Sequence, residues 1–248
     1  MRCIDDIRKV RRIAALAFMG ASGVLAAQVP TGAIAKEPRL RCEQLTKWDV
    51  PAKEIGLPTR GATIETAALS AAEDPNGSYC KANGSIQSVD PKAQPIRFQI
   101  NLPKAWNGKA IHAGGGGYDG TVVDGLQISF AGAADARPVA AGYATFGSDS
   151  GHQSSGFMDP TPGKFGLNDE ELENFGGAQL KKTHDVALAV IRHYYGEAPK
   201  RLYFYGNSQG GHEGLFVAQR WPKDYDGVVA IHPAYNFVPL QLDRKSVV

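Results

Sequence analysis

The stretch Tyr203–Gly211, YFYGNSQGG, constrains the fold more than any other part of the chain. Gly206-Asn207-Ser208-Gln209-Gly210 fits the pattern G-x-S-x-G, which arises by chance often enough that its flanks must decide its meaning. Upstream, RLYFY reads as a buried strand. Downstream, a helix is predicted from about Gln209 to Arg220, ending before Pro222. A serine on such a strand-to-helix turn takes a strained backbone conformation that projects its hydroxyl. The glycines two residues to either side let strand and helix approach closely. The hydroxyl then lies at a helix N-terminus, whose dipole favours the negative charge that builds up when an oxygen nucleophile attacks a carbonyl. Ser208 is the candidate nucleophile. An incidental turn serine is the plainer alternative.

A nucleophilic serine needs two donors for the oxyanion. One is the backbone N–H of the following residue, Gln209; the other comes from a loop after an earlier strand. The segment HAGGGGYDG follows the predicted strand KAIHA, and its glycines can turn bare amides toward a substrate carbonyl. Gly115 and Gly116 are the candidate donors there, with a simple flexible turn as the alternative.

Around these segments strands and helices alternate. RFQINL carries Phe98, Ile100 and Leu102 in a period of two, and YATFGSD and GVVAI read as further strands. Leu180, His184, Leu188, Ile191 and Tyr195 share one helical face that Gly196 and Pro199 terminate. AADARPVAAG is short and helix-like, and residues 151–175 read as a long irregular connection. This alternation predicts a parallel sheet covered by helices. Residues 36–95 look mixed and turn-rich, with a weak strand signal around GATIET. Asn76-Gly77-Ser78 and Asn83-Gly84-Ser85 fit the glycosylation sequon but read as plain turns.

With 248 residues, 43% of them hydrophobic and 21% charged, the chain suits one domain with a sizeable core. The first 35 residues hold five basic and two acidic side chains, so the remainder sits one negative charge from neutral and offers no electrostatic case for nucleic acid. That basic start leads into IAALAFMGASGVLAA and then small-residue sites near Ala26 and Ala35. Residues 1–35 are expected to be a signal peptide cleaved between about 26 and 35, the alternative being a permanent anchor. The mature protein is then periplasmic or secreted, with no membrane attachment after cleavage. It keeps Cys42 and Cys80, whose simplest fate in an oxidising compartment is one disulfide, with two buried thiols as the other option. No Cys/His spacing suggests zinc, so neither a metal nor a cofactor is expected in this chain.

NSQGGHEGLFVAQRWPKDYDGVVAIHPAYN, LPKAWNGKAIHAGGGGYDG, GSDSGH and the cysteine pair of CEQL and SYC together resemble the tannase/feruloyl esterase family, from about Cys42 to Asn236. The resemblance implies an α/β-hydrolase fold: a mostly parallel sheet with helices on both faces. It implies a serine esterase acting on small aromatic carboxylic esters of feruloyl, galloyl, chlorogenate or terephthalate monoester type. It supports the Cys42–Cys80 disulfide, makes Ser208 the nucleophile, and assigns the oxyanion hole to Gln209, Gly115 and Gly116. Two positions depart from the family's pattern. Asn207 stands where many members have a cysteine paired with another beside the catalytic histidine, and His212 stands where arginine is common.

In this fold the triad runs serine, acid, histidine, with both partners well downstream. The residues after Ser208 offer Glu213, Asp224, Asp226 and Asp243 as acids, and His212 and His232 as imidazoles. His212 reads as a helix residue and His232 as a strand-end residue at the site's rim. Tyr118, Asp149, His152 and His232 are candidates for the substrate pocket, with packing roles as the alternative. Asp243–Val248, DRKSVV, can be written as a reading frame of a widely used sequencing adapter, so residues 243–248 are expected to be a non-native tail on a domain spanning 36–242. The acid, the histidine, the last strands and the lid (with the calcium site some members carry) are expected downstream, leaving this chain by itself inactive. A non-catalytic hydrolase-like binding domain, or a peptidase or acyltransferase on the same fold, are the competing readings. The sequence favours no particular oligomeric state.

Overall fold

A computed structural model describes residues 35–128, 137–155, 159, 161, 163–236 and 239. The expected signal segment up to residue 34 and the expected tail at 243–248 lie outside the described residues.

Eight strands form one sheet: β1 (Asp49–Val50), β2 (Ala62–Leu69), β3 (Tyr79–Ile86), β4 (Ile96–Pro103), β5 (Lys109–Ala113), β6 (Ala144–Ser148), β7 (Arg201–Asn207) and β8 (Gly227–Ile231). Their spatial order is β1-β2-β3-β4-β6-β5-β7-β8. The parallel run predicted from the alternating pattern is β6-β5-β7-β8. β1 to β4 extend it with antiparallel pairs, and β4 joins β6 antiparallel. The reason lies in connection length: residues 70–78 and 87–95 are too short for a parallel crossover.

The turn-rich reading of residues 36–95 therefore needs correction. Asn76-Gly77 is a turn, with Gly77 at φ 76°, but Asn83-Gly84-Ser85 lies inside β3. Gly84 belongs there because a Cβ would come within 2.3 Å of the Thr63 carbonyl oxygen and 2.6 Å of the Phe98 ring. Residues 138–142 of the helix-like segment form turns, and residues 133–136 lie outside the described residues.

The described residues include the α-helices α1 (Asp169–Glu173), α2 (Gln179–Tyr195) and α3 (Gln209–Arg220). α2 buries Leu180, His184, Ile191 and Tyr195 as its spacing predicts, and Gly196 closes it at φ 80°, its N–H reaching the Arg192 carbonyl. α2 and α3 cover the same face of the parallel strands. His112, Phe146 and Phe204 project there from adjacent strands, His112 packing on both phenylalanines; His112 and Phe204 meet Tyr225, which in turn meets His184 of α2. Gly214 of α3 lies beside Phe204. On the opposite face, Val123 and Asp124 bond to Ser148 of β6 and Asn101 of β4, so a loop takes the place of a helix.

Cys42 and Cys80 are bonded to each other, with both side chains buried. Their sequence separation of 38 gives a chain-entropy stabilisation of about 4 kcal/mol. Replacing both cysteines by alanine is expected to lower the free energy of unfolding by about 3–4 kcal/mol in a urea titration.

Candidate active site

β7 ends at Asn207, and Ser208 turns the chain into α3 with φ 60° and ψ −115°. That conformation is unfavourable for a side-chain-bearing residue and must be imposed by its surroundings. The imposition is visible in the backbone. Ser208 N–H donates to the Ile231 carbonyl of β8 at 2.9 Å, and the Ser208 carbonyl accepts from His212 N–H at 3.1 Å and Ala234 N–H at 3.2 Å. The side chain is exposed, and its hydroxyl makes no capping bond to the helix. Below it, strand and helix touch backbone to backbone. A Cβ on Gly206 would lie 2.1 Å from the Gly210 carbonyl oxygen.

The glycine loop after β5 lies on the first turn of α3. Gly114 N–H donates to the Tyr205 carbonyl at 2.8 Å, and Gly210 N–H to the Gly115 carbonyl at 3.0 Å. Gly115 N–H donates to Glu213 Oε2 at 2.8 Å. The assignment of Gly115 as an oxyanion donor is thereby corrected: its amide is already used by a buried carboxyl group. Gly116 is exposed, and Gln209, as the first residue of α3, has a backbone N–H with no acceptor inside the helix.

Two carboxyl groups grip this loop. Glu213 is 3% exposed; burial, then the nearby Asp119 carboxyl, push its pKa well above the ordinary range. Asp119 has φ 58° and turns its carboxyl inward, with Oδ2 accepting from the Ser150 hydroxyl at 3.0 Å. Burial pushes Asp119 up as well, opposed by the Ser150 hydroxyl and the Gly116 amide. Asp119 did not stand out in the sequence, where it reads as one more polar residue of a glycine-rich turn. Glu213 carried a usable signal: an acid four residues from Gln209 falls on the same helical face, and both are buried.

The four candidate pocket residues separate. The Tyr118 carbonyl accepts from His152 Nε2 at 2.8 Å, and the rings of both pack on Phe165. His152 is buried, which holds its pKa below the usual imidazole value, and it lines an open cavity of about 290 Å³ with Lys92, Ser154 and Lys164. Asp149 is 1% exposed and spends its carboxyl on its own turn and the adjacent strand β4, accepting from Gly151 N–H, Gln153 Nε2 and Arg97 N–H. That makes it a turn anchor; it is not among the cavity's lining residues. His232 is exposed at φ 43°, its Nδ1 3.3 Å from Asn207 Oδ1, directly beside the serine turn.

The sequence contains six histidines, all described, and no histidine ring hydrogen-bonds the Ser208 hydroxyl. His112 meets the Tyr225 hydroxyl at 2.8 Å, His184 meets Asp185, and His193 stacks on Trp48. His212 reaches only Gln209 Oε1 of its own helix, at 3.4 Å. Asp224 pairs with Lys181 and Asp226 with Arg201; Asp243 lies outside the described residues. Among the described residues no three His, Cys, Asp or Glu side chains are grouped to hold a metal ion. No described helix is long and apolar enough to cross a membrane.

Comparison with known proteins gives this arrangement a setting. An uncharacterized esterase of Agrobacterium fabrum is 44% identical over 205 residues, covering 81% of this chain and 36% of that protein. Mono(2-hydroxyethyl) terephthalate hydrolase of Piscinibacter sakaiensis is 30% identical over 210 residues, covering 80% of this chain and 34% of that protein. The chain thus spans about a third of the length of these relatives. Among solved structures, an esterase from Aspergillus oryzae superposes with a TM-score of 0.61 at 22% identity, over 81% of this chain and 39% of that one. Feruloyl esterase B from the same organism gives 0.59 at 23%, over the same shares. At that identity the likeness speaks for the fold, which is of the α/β-hydrolase type. The family model described as tannase and feruloyl esterase matches residues 80–247, and the chain belongs to that family.

Proposed function

We propose that the protein is an exported serine esterase for small aromatic carboxylic esters. The observation that carries this reading is the backbone of Ser208, held at φ 60° and ψ −115° at the start of α3 with its hydroxyl in solvent and a glycine loop bonded to the same helical turn. Ser208 Oγ attacks the ester carbonyl carbon and gives its proton to an imidazole. The carbonyl oxygen becomes an oxyanion, received by the Gln209 N–H at the positive end of α3 and by a second donor from the adjacent glycine loop. When the tetrahedral intermediate collapses, the bond to the alcohol oxygen breaks and the alcohol leaves with that proton. Water then releases the acid from the acyl-serine by the same steps.

Because no histidine ring of this chain hydrogen-bonds the Ser208 hydroxyl, the base is proposed to come from sequence beyond these 248 residues. The short share of each relative that the chain spans supports this. The aromatic substrate class rests on the relatives named for terephthalate monoester and feruloyl ester hydrolysis. Export rests on the N-terminal signal pattern together with the Cys42–Cys80 disulfide.

The test uses the protein encoded by the full gene. It is mixed rapidly with p-nitrophenyl, feruloyl and terephthalate monoesters. A burst of one alcohol per protein followed by steady turnover, with aromatic acyl groups preferred, is the expected result. Turnover without a burst would remove the acyl-enzyme, and hydrolysis confined to aliphatic esters would remove the substrate class.

A further inference from the structure

The oxyanion loop has no side chains of its own, so neighbours must set its place through the backbone. Three bonds tie it to β7 and α3 among the described residues. Two are main-chain bonds, Gly114 N–H to Tyr205 and Gly210 N–H to Gly115; the third is Gly115 N–H to Glu213 Oε2. The third is the one a side-chain substitution can remove.

We propose that Glu213 is a positioning residue that fixes the glycine loop, and with it the Gly116 amide, against the N-terminus of α3. This rests on the esterase reading above. Glu213 is itself fixed from behind: its Oε1 accepts from Gln179 Nε2 at 2.8 Å, and Gln179 Oε1 accepts from the Ser148 hydroxyl at 2.6 Å. One hydrogen-bonded chain therefore runs from the end of β6, through the start of α2 and the buried face of α3, to the loop after β5. The fit is close, since a Cβ on Gly114 would lie 2.7 Å from Glu213 Oε2.

Ionic stabilisation does not explain a carboxyl group in this place. Among the described residues no cation pairs with Glu213, and an isolated buried carboxylate is strongly disfavoured. Burial and the Asp119 carboxyl both favour the protonated form. In the structure both oxygens accept, Oε2 from the Gly115 N–H and Oε1 from Gln179 Nε2. Glutamine keeps an oxygen to accept from Gly115, and its amide nitrogen can donate to Gln179 once that amide turns over. Leucine fills similar volume but leaves the Gly115 N–H without an acceptor.

The experiment compares wild type, Glu213→Gln and Glu213→Leu by two readouts. In this chain, labelled with ¹⁵N-glycine, amide exchange at Gly115 should be alike in wild type and Glu213→Gln. It should be faster by roughly 10-fold or more in Glu213→Leu, as expected for loss of one buried hydrogen bond. In the full-gene protein, Glu213→Leu should lower kcat by about 10- to 100-fold with KM within threefold, and Glu213→Gln should keep kcat within threefold. Unchanged exchange and kcat in Glu213→Leu, or equal damage in both variants, would overturn the proposal. Should Glu213→Leu fail to fold, Gln179→Met removes the second tether. It is expected to speed Gly115 exchange in the same direction, and no change there would equally overturn the proposal. An inactive wild type would refute the esterase reading instead, and the Gly115 tether would still be decided by exchange.

Discussion

Replacing Ser208 by alanine in the full-gene protein is expected to lower kcat by on the order of 10⁴–10⁶, with the fold intact. The size follows from the chemistry, because without the hydroxyl there is no acyl-enzyme and only binding and the oxyanion donors remain. The selectivity follows from the structure. The Ser208 side chain is exposed and caps nothing, and its strained conformation is held by backbone bonds to Ile231, His212 and Ala234 that alanine keeps. Unfolding free energies of the two proteins from urea titration should therefore agree to within about 0.5 kcal/mol while their rates differ by orders of magnitude. A serine that only shaped the turn would give the opposite result, a modest loss of rate shared with a loss of stability.

Gly206→Ala is the matching case in which stability fails first. A methyl group there would lie 2.1 Å from the Gly210 carbonyl oxygen and 2.3 Å from its carbonyl carbon. Both are backbone atoms at the start of a helix packed on the sheet, so neither can move as a flexible side chain would. The expected loss is about 3 kcal/mol or more, or roughly 6–12 °C in Tm for a domain of this size. Gly77→Ala supplies the control. Gly77, unlike Gly206, has a positive φ, 76°, but nothing lies within 4 Å of its would-be Cβ, so only the backbone strain of about 1 kcal/mol remains. Comparable losses in the two variants, measured by thermal melting, would contradict the close strand–helix contact.

The difference between these two glycines also shows what the sequence made legible. β7, α3 and the serine between them were readable because a strand, a turn and a helix lie in immediate succession there, each with its own local signal. α2 was readable from its apolar spacing and its terminating Gly196. β3 was not, because Asn83-Gly84-Ser85 has the local chemistry of a turn. Its place in the sheet is decided by contact with Thr63 and Phe98, residues distant in sequence. The same limit applied to the glycine loop. Four consecutive glycines announce bare amides, but nothing local says that the Gly115 amide will be taken by a glutamate 98 residues away. Asp149 shows the same limit, since nothing local to an acid at a strand end says that its carboxyl will bond Arg97 of β4 as well as Gly151 and Gln153 of its own turn.

The most direct measurement is the mass of the trapped intermediate. The full-gene protein is quenched in acid milliseconds after mixing with a feruloyl ester, digested, and analysed by mass spectrometry. The account predicts one feruloyl adduct per molecule, on the peptide that contains Ser208, and none in the Ser208→Ala protein. An adduct on any other residue, or rapid turnover with Ser208 never modified, would contradict it.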